Sequence, residues 1–194
     1  MKKIVLTGGP GGGKSTAAEL FRREVGESIV VVPEAATMLY KGGLPRTDDI
    51  EASRAIQKAI FHTQVSLEDV YEKLYPNRVL LCDRGTIDGS AYWPMDRNSF
   101  YEYFETNKKE QFNRYDTVLF FETAAVGKLE IEGGNPVRVE SIDEAIALDK
   151  KLKYEWKEHT DFIFIPHQQS FLAKINLGLC VLQKVLRNTN ELLK

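Results

Sequence analysis

Near its start the chain runs from a short apolar segment, Lys3–Thr7, into Gly8-Gly9-Pro10-Gly11-Gly12-Gly13-Lys14-Ser15, with Thr16 and an amphipathic pattern directly after. This satisfies G-x-x-x-x-G-K-[ST] in the strand–loop–helix context that gives the pattern meaning. Glycines permit dihedrals that a side chain forbids, so successive N–H groups can turn inward around an anion. A helix opening near Lys14 adds the positive end of its dipole. Lys14 then reaches the outer phosphates as a point charge, and the Ser15 hydroxyl ligates Mg²⁺. Residues 9–16 (Gly9, Pro10, Gly11, Gly12, Gly13, Lys14, Ser15 and Thr16) are the expected cradle of a nucleoside triphosphate. A merely flexible glycine turn leaves Lys14-Ser15-Thr16 unexplained.

A phosphate loop of this kind requires a strand beneath it and neighbours beside that strand. Four more segments are strand-like: Ile29–Pro33, Arg78–Cys82, Thr117–Glu122 and Phe162–Ile165. Most are continuously apolar, as strands covered on both faces are. Helical patterns fill the gaps: Thr16–Val25, Asp49 to Leu74, Ser99–Phe112, one opening at Ser141 with Glu144 as a capping box, and Gln169 to Leu193. The alternation predicts an α/β fold of βαβ units with a parallel sheet and right-handed crossovers, in one domain spanning 1–194. Lys41–Asp48 and Glu132–Arg138 pair glycines with a proline and an arginine and read as polar flaps.

A second site motif is Val79-Leu80-Leu81-Cys82-Asp83-Arg84-Gly85, an apolar strand ending in aspartate. It brings a carboxylate to the sheet edge where open α/β folds bind ligands. Asp83 there either holds Mg²⁺ or accepts a proton from an attacking hydroxyl. Arg84 pairs with a phosphate or with a neighbouring carboxylate. Glu34, in Pro33-Glu34-Ala35-Ala36, ends the second strand at the same edge, on the side of a prospective acceptor; it either contacts that acceptor or caps the next segment. In the 127–150 segment, read as a small lid, Arg138 is placed to close over a transferring phosphoryl group. Arg46 and Asp88, with Tyr92 and Trp93, are candidate acceptor walls.

The balance of 26 basic and 28 acidic residues, formally −2, gives no reason to expect nucleic acid as a partner. No run is long enough for a membrane span or a signal-peptide core, and Cys82 and Cys180 are too far apart for a metal motif, reading as buried thiols; a cytoplasmic protein is expected.

Together, GGPGGGKST at 8–16, PEAAT at 33–37, CDRGTIDGSAYWP at 82–94 and NPVRVES at 135–141 resemble the P-loop AAA-type domain of the NadR kinase half and of the TRPL translocation defect protein. The resemblance spans nearly the whole chain. It implies a three-layer P-loop NTPase, five strands in order 2-3-1-4-5, helices on both faces, and ATP or GTP with Mg²⁺ at the loop. It also implies that Gly13, Lys14, Ser15 and Thr16 hold phosphate and Mg²⁺, that Asp83 and Arg84 form the acidic strand end, and that Arg138 is the lid arginine. The leading expectation is a phosphotransferase with Lys14, Asp83, Arg84 and Arg138 as its catalytic set and a small-molecule acceptor. The other is a nucleotide-binding switch with little turnover. Neither the resemblance nor the residues name the acceptor. A Ras-like GTPase is disfavoured because no N-K-x-D ends a strand.

Overall fold

β1 (Lys3–Thr7) has all five residues buried, with Ile4, Val5 and Leu6 fully out of water. Each such side chain contributes on the order of 1.5–3 kcal/mol by leaving water. A strand with no wet face must be central and covered on both sides, and β1 is. In the computed structural model, which describes residues 2–127 and 140–192, it lies between β3 (Val79–Asp83) and β4 (Thr117–Phe121). β2 (Ile29–Val32) and β5 (Phe162–Ile165) close the edges of an all-parallel sheet of order β2-β3-β1-β4-β5. The register pairs Leu6 with Asp83 on one side and with Leu119 on the other, so the carboxyl ends of these strands finish level.

Alternation along the strands assigns the two faces. Ile4, Leu6, Leu81, Leu119 and Phe121 pack under α1 (Lys14–Val25) and α8 (Phe171–Leu192). Val5, Leu80, Cys82 and Val118 face the opposite layer, where Trp156 of α7 (Ile142–Trp156) is fully buried. α3 (Ile50–Leu74) lies on that side as well and presents Leu67 and Tyr71 to this cluster. The long helices begin where the sequence supplies caps. Asp49 accepts from the Ala52 N–H at 2.8 Å, and Ser141 with Glu144 forms the expected capping box.

Some expectations need correction. The pattern read as one helix over Ser99–Phe112 is two, α5 (Arg97–Tyr103) and α6 (Lys108–Phe112). Glu105 adopts φ +49°, and Asn107 starts the second helix by accepting from the Glu110 N–H at 2.9 Å. Two short helices, α2 (Ala35–Lys41) and α4 (Asp88–Ala91), escape the periodicity reading because neither completes enough turns to show one. Cys82 is buried as expected, but Cys180 is exposed on α8. Of the 127–150 segment, residues 128–139 lie outside those described, Arg138 with them, and 142–150 begin α7, whose Ala145 and Asp149 are buried in the body of the fold. No helix among the described residues is long and apolar enough to cross a membrane.

Candidate active site

The loop between β1 and α1 takes its form from two glycines in particular. Gly8 has φ +128°, and a Cβ there would lie 2.0 Å from the Phe121 carbonyl oxygen. Gly13 has φ +82° in the left-handed region at the position before α1. Among the described residues no side chain caps α1, unlike α3 and α7, so its first N–H groups remain for an anion. Lys14 is 2 % exposed and folds back over the loop, with Nζ donating to the Gly9 carbonyl at 2.7 Å. Ser15 and Thr16 face outward at the start of the helix.

Four elements tie this loop from behind. Asp149 of α7 accepts from the Gly9 N–H at 2.7 Å and from the Thr123 N–H at 2.9 Å, both on Oδ1. The Thr123 hydroxyl, just past β4, donates to the Pro10 carbonyl. Lys174 of α8 donates to the Gly12 carbonyl at 2.8 Å and to the Glu122 carbonyl. Arg84 donates to the Gly8 carbonyl at 2.7 Å. Burial pushes the Asp149 carboxyl upward in pKa against the two N–H donors. Burial likewise pushes Lys174 down to about 8, partly offset by Asp149 and Glu122.

Asp83 ends β3 beside the loop with 5 % exposure. Burial raises its carboxyl pKa and the neighbouring Glu34 raises it further, while the Ser15 hydroxyl against it works the other way. Its Oδ1 is buried with no hydrogen-bond partner among the described residues. An orphaned carboxylate oxygen next to a serine hydroxyl is the hard oxygen donor set that suits Mg²⁺, so the residues present fit the ion. They are Ser15 and Asp83, with phosphate oxygens and water completing the shell.

Arg84, next along, has φ +84°, a strained conformation for a side-chain-bearing residue. Its surroundings hold it there. Nε donates to Glu34 at 3.1 Å and one terminal nitrogen donates to Asp88 at 3.0 Å as well as to Gly8. Burial opposes its charge, and Tyr92, Glu34, Asp88 and Asp83 more than offset that. Asp88 in turn accepts from Thr7 (2.8 Å to Oδ1) and from the Trp156 indole N–H (2.7 Å). Both Asp88 oxygens are thereby occupied, which makes it an anchor of the β1 and β3 ends. Gly85 is pinned by the same tryptophan, since a Cβ there would lie 2.7 Å from its ring. Glu34 does not cap α2 with its side chain; it bonds the Thr37 hydroxyl at 2.6 Å and faces Arg84.

Beyond Arg84 and Glu34 opens a cavity of about 100 Å³. Its walls come from the β2 and β3 ends, from α2 and from one face of α3, with Gln57, Phe61 and Gln64 on that face. Arg46, Asp88 and Tyr92, three of the four residues expected together, also line it, and Glu140 joins them. Trp93 does not: its indole donates to Ser99 at 2.8 Å and packs against Phe100 and Tyr103. Arg46 lies over the Tyr40 ring, 4.6 Å from its centroid. Phe171, at the start of α8, is half exposed and lies against Gly13.

Sequence reasoning missed Asp149, Lys174, Thr123, Gln57 and Gln64. Four of the five carried a signal. Asp149 sits on the stripe Ala145, Leu152, Trp156, and Lys174 on the line of Gly178, Val181 and Val185, so each is a charged residue on a face that must be buried. Gln57 and Gln64 are seven apart on the buried face of α3. Thr123 had none.

The five-stranded parallel sheet of order 2-3-1-4-5 with a glycine-rich loop after its central strand defines the P-loop NTPase fold. A family model described as an AAA domain matches residues 3–170, and the chain belongs to that family. Among solved structures, deoxyadenosine kinase from M. mycoides with bound dATP superposes with a TM-score of 0.67 at 16 % identity, over 93 % of this chain and 99 % of that one. At that identity the likeness concerns the fold. A search of curated proteins finds no match.

Proposed function

We propose that the chain is a kinase that moves the γ-phosphoryl group of ATP or GTP to a hydroxyl of a nucleoside held in the Glu34–Glu140 cavity. The observation that carries this reading is the charge of that cavity at the carboxyl edge of the sheet. Glu34, Asp88 and Glu140 line it against Arg46 and Arg84, and Arg84 is already tied to the first two acids. Such walls favour a neutral, hydroxyl-bearing acceptor over one carrying its own phosphate, for which cations are needed. The Phe61 ring and the amides of Gln57 and Gln64 suit a flat, polar-edged ring system. The structural neighbour is itself a nucleoside kinase.

In the reaction the acceptor oxygen attacks the γ-phosphorus and the bond from that phosphorus to its β–γ bridging oxygen breaks. The nucleoside diphosphate departs with the electron pair, and the hydroxyl proton passes to a carboxylate of the Glu34–Asp83 pair. Two neighbouring carboxylates resist joint ionisation, which suits one of them to take a proton. Lys14 and the loop N–H groups stabilise charge on the transferring group, where positioning and electrostatics supply most of the rate. Bound Mg²⁺ supplies charge neutralisation of the triphosphate. Arg138 is the remaining candidate for the equatorial oxygens.

The test is nucleotide consumption with a panel of nucleosides and nucleoside monophosphates, for the wild type and Asp83→Asn. Turnover that depends on a nucleoside and is lost in Asp83→Asn supports the kinase. Tight triphosphate binding without acceptor-dependent turnover supports the switch instead, and turnover only with monophosphates rejects the charge argument.

A further inference from the structure

Resting on the nucleoside reading of the cavity, we infer that Glu68, buried one helical turn beyond Gln64 on α3, is a positioning residue. It fixes which end of the Gln64 amide faces the acceptor, and thereby selects nucleosides whose ring edge presents an amino group. Glu68 is fully buried and does not itself line the cavity, yet it gathers partners from three elements. Gln64 Nε2 donates to its Oε1 at 3.1 Å and the Tyr115 hydroxyl donates to the same oxygen at 2.7 Å. Arg114 donates to Oε2 at 2.7 Å, with the Lys3 ammonium 4.0 Å from that oxygen.

The chemistry of the partners settles the orientation. A carboxylate between a guanidinium and an ammonium is an acceptor only, so it must receive an N–H from Gln64 and cannot give one. The amide nitrogen is thereby turned along the helix toward Glu68, and the carbonyl Oε1 is turned away from it. Gln64 is 2 % exposed and lines the cavity, so the group left to meet the acceptor ring is an acceptor oxygen with one remaining N–H beside it. A 6-amino purine or 4-amino pyrimidine complements that edge. A 6-oxo or 4-oxo ring sets oxygen against oxygen and strands a buried polar group on each side.

Glu68→Gln reverses the order without changing shape. Arg114 and Lys3 require an acceptor, so the new carbonyl takes the Oε2 place and the new NH₂ takes the place beside Gln64. Tyr115 can then accept from it and turn its own proton to the Thr86 hydroxyl, 3.3 Å away. Gln64 must now offer its carbonyl to residue 68, and its NH₂ faces the ring.

The experiment measures kcat/KM for two pairs, adenosine against inosine and cytidine against uridine, in the wild type, Glu68→Gln and Gln64→Leu. In the pair that the enzyme accepts, the wild type is expected to favour the amino nucleoside by at least tenfold. Glu68→Gln is expected to invert that preference, and Gln64→Leu to bring the ratio close to one. A merely structural glutamate lowers both members of a pair together and leaves their ratio alone. A wild type that favours oxo rings, or a ratio unmoved in Glu68→Gln, overturns the inference while leaving the kinase reading intact. Should Glu68→Gln not fold, the Gln64→Leu ratio decides alone. Turnover with no nucleoside removes the kinase reading and this inference with it.

Discussion

Asp149→Ala removes one oxygen that holds two parts of the site together, the Gly9 N–H at 2.7 Å and the Thr123 N–H at 2.9 Å. Hydrogen bonds to a charged acceptor contribute about 1.5–3 kcal/mol each, so the pair sets a ceiling of roughly 6 kcal/mol. Two effects lower it. Burial already raises the Asp149 carboxyl pKa, so removing the charge relieves a cost, and water entering the space can serve one of the N–H groups. The expected net loss is about 3 kcal/mol, or about 6–12 °C in Tm for a chain of this length. Asp149→Asn separates position from charge. Its carbonyl oxygen keeps both N–H groups, so the loss falls to about 1 kcal/mol. Triphosphate affinity by calorimetry should hold or rise in the Asn variant, because an anion near Lys14 is gone. In the Ala variant it should fall as the loop loosens. Thermal melts with and without Mg²⁺-ATP read both. Asn as damaging as Ala would refute the bridging account, because the oxygen's position would then not be what holds the loop.

Lys14→Ala is expected to weaken triphosphate binding at least about a hundredfold, as loss of a buried charged partner does; unchanged affinity in titration calorimetry would reject the cradle. Asp83→Asn should abolish transfer while leaving Tm unchanged or higher. Burial and Glu34 raise the folded-state pKa of Asp83, so wild-type stability falls as pH rises through that pKa, and the Asn variant should lack this fall in urea melts. Lys174 works with the opposite sign. Its folded pKa is about 8 against 10.5, so the unfolded chain binds more protons between those values and stability rises with pH across that window. Relative to Lys174→Met the wild type should gain up to about 3 kcal/mol from pH 8 to 10.5, and parallel pH curves for the two would contradict this.

The sheet was legible because its strands are continuous apolar runs, and Lys3–Thr7 and Phe162–Ile165 match to the residue. The phosphate loop was legible because its function demands an unusual string of residues. What stayed hidden was made by distance in sequence. Nothing near position 149 says that its carboxylate meets Gly9, 140 residues away. The Arg84 role was open between phosphate and carboxylate, and only the fold shows that Glu34 and Asp88 come to its two sides. Asp88, expected at the acceptor, is saturated by Thr7, Arg84 and Trp156; only the tertiary fold places an indole N–H there.

The two halves of the site are held in different ways, and this follows from what each must do. Every tie on the back of the phosphate loop reaches a backbone group: Arg84 to Gly8, Asp149 to Gly9, Thr123 to Pro10 and Lys174 to Gly12. Such ties fix the path of the chain and so the directions of its inner N–H groups, which on the proposed reading suits the part of the ligand that never varies, the triphosphate. The cavity proposed for the acceptor is walled instead by side chains bonded to other side chains, Glu34 with Thr37 and Arg84, and Gln64 with Glu68. One substitution can reverse a donor and an acceptor there without moving the backbone. On the proposed kinase reading, a fold so arranged can exchange one acceptor for another while its phosphate chemistry stays in place, and the loop is then readable from its sequence whereas the acceptor has to be read from the cavity.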